Sequence, residues 1–68
     1  MNEEVFNLSV RKFLKGFGVS AQHEIQQAVA KALASKAIAG TETLPARITL
    51  EIGRLKLDFE FEGDVALA

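Results

Sequence analysis

The chain has 68 residues, no cysteine, 49% apolar and 25% charged residues and a net charge of −1. A chain this short is expected to form one domain, residues 1–68, burying only about 60% of its unfolded surface. Its composition excludes a disulfide framework, a thiolate metal site and wholesale disorder, and its charge supplies no electrostatic drive toward nucleic acid.

Asn2 is a suitable N-cap, and Glu3 and Glu4 place negative charge where the helix dipole favours it. Phe6, Val10, Phe13, Leu14 and Phe17 then fall in a stripe about 100° wide. Gly18 in the left-handed position, with Val19 meeting Leu14, predicts a helix stop. The first helix is therefore predicted over about residues 3–17. Ser20 would cap a second helix, with Glu24 in its first turn, Ile25, Ala28, Val29, Ala32 and Leu33 as its stripe, and Gly40 as its stop. That helix is predicted over about residues 21–39. Large aromatics facing alanines favour an antiparallel helix pair.

Thr41 to Pro45 form a connector, and from Ala46 the pattern changes to alternation. Ile48, Leu50 and Ile52 alternate with polar residues, as do Leu55, Leu57, Phe59 and Phe61 after Gly53-Arg54. Strands over about residues 46–52 and 55–61 with a two-residue loop would pair Ile52 with Leu55, Leu50 with Leu57 and Ile48 with Phe59. The opposite face would then join Glu51 to Lys56 and Arg47 to Glu60. Residues 63–68 are expected to fray. The predicted fold is α+β in the order α-α-β-β, with the antiparallel helix pair on one face of the two-stranded hairpin.

No residue pattern supports catalysis. His23 is the lone histidine and lies about 160° from the centre of the second stripe, so a surface role is expected. Ser9, Ser20 and Ser35 lack a nucleophile motif, and Gly16-Phe17-Gly18 follows a helix where a phosphate loop would follow a strand. No catalytic residue, metal site or cofactor is expected. Arg11, Lys12, Lys15, Lys31 and Lys36 are the basic residues that a nucleic-acid-associated regulator would use. Dipole complementation and solubility account for them more simply, because the chain is slightly acidic and carries no base-reading array. Met1, Val5 and Leu8 lie off the aromatic stripe and are candidates for a protein interface.

No apolar stretch is long enough to span a membrane, and the Asn-Glu-Glu start is unlike a signal peptide, so a cytoplasmic location is expected. Met1 to Asn7, Arg11 to Lys15, Gly18-Val19-Ser20, Glu24-Ile25, Ala28-Val29, Thr43 to Ala46 and Leu50 to Gly53 together resemble a family of very short bacterial proteins of unknown function. The resemblance covers Met1 to about Gly53, implies a free-standing bacterial protein, and supplies no activity, cofactor or site residue. The expected function is a non-enzymatic interaction module that forms a homodimer or small homo-oligomer, or binds another protein. Its small size and two open strand edges both call for a partner.

Overall fold

The computed structural model describes residues 1–68 as one helix followed by one hairpin. Helix α1 runs Glu3–Ala34, strand β1 Thr43–Ile52 and strand β2 Leu57–Ala66, with a short helical turn at Gly53–Leu55 between the strands. The chain divides into two compact units, Met1–Ser35 and Lys36–Ala68. The order is thus α-β-β, still α+β, and the expected helix pair is replaced by a single helix.

α1 contains 32 residues, which makes it about 48 Å long. It begins as predicted: Asn2 Oδ1 accepts from the Val5 amide at 3.1 Å, with Glu3 and Glu4 in the first turn. The predicted stop at Gly18 does not form. Gly18 lacks the positive φ that a left-handed cap requires, and Ser20 is an interior helical residue. Two interior glycines cost about 1 kcal/mol each. Extending an existing helix avoids a second nucleation, and the sequence beyond Gly18 is rich in Ala and Gln, both favourable helix formers. The apolar stripe also stays in phase across the glycines, through Phe17, Ala21 and Ile25.

The helix ends at Ala34, short of the predicted residue 39. The Ser35 amide donates to the Lys31 carbonyl at 3.0 Å, and its hydroxyl donates to the Ala32 carbonyl at 3.2 Å. Lys36, with φ 61°, takes the left-handed position that a glycine usually fills. Gly40 (φ 95°) has positive φ too, but it lies in the connector.

β1 and β2 pair antiparallel over ten rungs, from Thr43 opposite Ala66 to Ile52 opposite Leu57. The register is displaced by two residues from the predicted one, because the loop is longer. Gly53, Arg54, Leu55 and Lys56 form the turn, with Lys56 left-handed at φ 51° and its amide donating to the Gly53 carbonyl at 3.1 Å. A slip of two keeps the paired side chains on their predicted faces, while Leu55 and Lys56 leave the predicted strand 55–61 for the turn. One face carries Leu44 with Val65, Ala46 with Gly63, Ile48 with Phe61, Leu50 with Phe59 and Ile52 with Leu57. The displacement draws residues 63–66, expected to fray, into β2 and gains the apolar pair Leu44–Val65. It also breaks the expected pairing of Glu51 with Lys56: Glu51 now stands opposite Asp58, and Arg47 opposite Glu62.

No residue of the chain is buried. For each unit this follows from geometry, since one helix has no interior and a two-stranded ribbon has none either.

Candidate interaction surfaces

α1 carries two apolar surfaces. The broader consists of Phe6, Val10, Phe13 and Phe17, continued by Ala21, Ile25, Ala28 and Ala32. Its aromatic and β-branched members are exposed. Beside Phe13 and Phe17, the missing side chain of Gly16 leaves a shallow groove completed by Ser9, Lys12 and Ser20. The second surface holds the predicted contact residues. Val5 and Leu8 are 62% and 65% exposed, and Met1, before the N-cap, is 96% exposed. Val19 extends this surface along the same side of the helix.

The hairpin supplies a third apolar surface. Its five apolar rungs run about 27 Å, and Ile48, Ile52, Leu57, Phe59 and Phe61 on it are all exposed. The other face places Glu51, Asp58, Glu60, Glu62 and Asp64 around a single Arg47. A shallow depression at its open end is lined by Pro45, Ala46, Arg47, Glu62, Gly63 and Asp64.

The basic residues are not gathered. Arg11, Lys12, Lys15 and Lys31 all stand on α1 and Lys36 lies just beyond it. Lys31 is about 24 Å along the axis from Lys15. The helix pair on which a helix-turn-helix geometry depends is absent. His23 is exposed in the middle of α1. No three His, Cys, Asp or Glu side chains converge in a way that could hold a metal ion.

One polar arrangement was not foreseen. The Glu42 carboxylate accepts from three consecutive backbone amides, Ala39 and Gly40 at 2.8 Å each and Thr41 at 3.0 Å. The Ala39 amide, its own amide, and those of Gly40 and Thr41 hold its pKa below the ordinary carboxylate range. The Glu42 carbonyl also accepts from the Leu67 amide at 3.0 Å, tying the connector to the end of β2. The ring of amides is filled by the chain's own carboxylate, so the arrangement is a structural cap. Nothing in the residue order Ala39-Gly40-Thr41-Glu42 matches a standard capping pattern, which is why the sequence did not disclose it.

A family model described only as a family of unknown function, DUF6494, matches residues 1–68, the whole chain. The chain belongs to DUF6494. Membership agrees with the resemblance read from the sequence and extends it through β2. Comparison with curated proteins and with solved structures gave no match. The surfaces of this DUF6494 protein are therefore interpreted from their own chemistry. No helix in it is long and apolar enough to cross a membrane.

Proposed function

We propose that this protein is a non-enzymatic protein–protein interaction module that self-associates into a homodimer or small homo-oligomer in the bacterial cytoplasm. The observation that carries this reading is the number of exposed apolar surfaces: two on α1 and one on the hairpin. Pairing any two of them within one chain leaves the third in water. A helix apolar on two sides is a helix made to be covered on two sides. Self-association covers the odd surface, because a two-fold axis sets a patch against its own copy. The two outer hairpin edges, with unpaired backbone groups, add a second demand for a partner.

Sedimentation equilibrium at tens of micromolar tests the reading, which requires a mass that is a multiple of 7.4 kDa. A single 7.4 kDa species throughout would remove self-association. Met1, Val5 and Leu8 are proposed as one contact surface. Leu8→Glu, a charge placed in that surface, is expected to weaken assembly about tenfold or more. If mass and thermal stability both stay unchanged, the surface is not a contact.

A further inference from the structure

We infer that the aromatic and alanine halves of α1 pack against each other between two copies, as an antiparallel helix dimer centred on Val19. The inference rests on the self-association reading and assigns the seam, leaving the surface of Met1, Val5 and Leu8 for a further contact.

The size complementarity that predicted a helix hairpin is real, but it lies on one continuous helix that cannot fold back on itself. Only another molecule can bring the halves together. The positions match pairwise about Val19: Phe6 with Ala32, Val10 with Ala28, Phe13 with Ile25, Phe17 with Ala21. Each pair is equidistant from Val19, and all eight positions lie on one stripe of the helix. An antiparallel two-fold dimer therefore sets a larger residue of one copy against a smaller residue of the other at these four pairs, each contact occurring twice, while Leu14 on the same stripe meets Glu24. A parallel dimer would oppose Phe to Phe at one end and alanine to alanine at the other.

Charge selects the same orientation. The first turn carries Glu3 and Glu4, the last turn Lys31, and Lys36 follows it. Antiparallel packing sets the acidic end of one copy beside the basic end of the other and aligns opposite dipole ends. It also separates Arg11, Lys12 and Lys15 of one copy from those of the other, which parallel packing would bring together.

The full chain has no cysteine, so single thiols can be placed on exposed helix positions and spin-labelled. Labels at Ser9→Cys, Ser20→Cys and Gln27→Cys, which share one flank of the seam, read the geometry by pulsed electron resonance. The antiparallel seam predicts axial offsets of about 30 Å at residue 9, about 3 Å at residue 20 and about 24 Å at residue 27, so the label distance is shortest at residue 20. Equal distances at all three sites mean a parallel pair and overturn the inference while self-association stands. A purely monomeric sample overturns both. Packing is tested separately with Val10→Ala, Ala28→Val and the double variant. Each single change is expected to weaken the dimer about fivefold or more, and the double to recover most of that loss. The two positions are about 27 Å apart on one helix, so recovery has to arise between copies. Simple additivity would overturn the pairing.

Discussion

The helix and the hairpin face the same difficulty, apolar side chains with no interior of their own, but they are incomplete in different ways. α1 satisfies its backbone internally and is capped by Asn2 at one end and Ser35 at the other. It needs only side-chain cover. The hairpin has an apolar face to cover and, in addition, two outer edges of unpaired backbone groups. A partner for the helix can be chosen by side-chain size and charge alone. A partner for the hairpin can also extend the sheet by strand addition. On the proposed reading, self-recognition falls to α1, and the hairpin edges stay open to a further chain.

The sharpest way to break this comparison is to interrupt α1 at Gly18. Gly18→Pro is expected to remove about 3 kcal/mol of helix stability, seen as a large loss of helical circular dichroism. If the helix stopped at Phe17, proline at the left-handed position 18 would strain the cap but leave the helical content on either side, so circular dichroism would change little. Gly18→Ala gives the opposite sign of test. With open space around the position and no positive φ, alanine is expected to stabilise by about 1 kcal/mol. At a left-handed cap it would destabilise. Melting curves of the two variants together decide whether α1 is one helix.

The same two regions show what residue order makes legible. Leu55 and Lys56, expected in the second strand, lie in the turn instead. Period-two alternation still assigned the paired hairpin side chains to their correct faces, because a slip of two residues leaves faces unchanged. For the same reason it could not fix the register, which the turn decides. Gly53-Arg54 resembles a two-residue loop, yet the turn takes its left-handed residue at Lys56, where no glycine marks it. In α1 the glycines were a misleading signal and the stripe an accurate one: the phase continuity from Phe17 through Ala21 to Ile25 argues for one helix. Met1, Val5 and Leu8 lie on the side of the helix that their angle gives them, but the aromatic stripe is exposed as well, so exposure alone does not mark them as contacts. The Glu42 cap was not legible, because backbone amides that converge in a loop have no side-chain signature.

The hairpin register is sharpened by a substitution whose sign differs between the two pairings. Glu51 stands opposite Asp58, a like-charge pair. Glu51→Lys is therefore expected to stabilise the hairpin by about 0.2–1 kcal/mol, measured as a shift in the urea midpoint. In the two-residue-loop register the same lysine would face Lys56, and stability would fall. An unchanged or lowered midpoint would count against the ten-rung ladder from Thr43 to Ile52 and for the shorter loop.

The smallest effect concerns the segment that joins the two units. Glu42 is held in its charged form by the amides of Ala39, Gly40 and Thr41, so its pKa in the folded chain lies below the unfolded value. A depressed carboxylate contributes its stabilisation above the unfolded pKa and loses it as pH falls through the folded one. The connector is thus expected to be ordered at neutral pH and to loosen on acidification to below the ordinary carboxylate range, with the faster opening seen first at those three amides. Glu42→Gln removes the charge and one acceptor oxygen, so it should show the loosened state at neutral pH and no further change on acidification. Amide exchange corrected for intrinsic pH dependence follows this residue by residue. α1 should be indifferent to Glu42→Gln at neutral pH, since its own ends are capped by Asn2 and Ser35. The pairing of Leu67 with the Glu42 carbonyl makes the open end of β2 the one place where the effect should spread. Acid-induced loosening confined to residues 39–41 would show that this single backbone bond transmits nothing to the sheet.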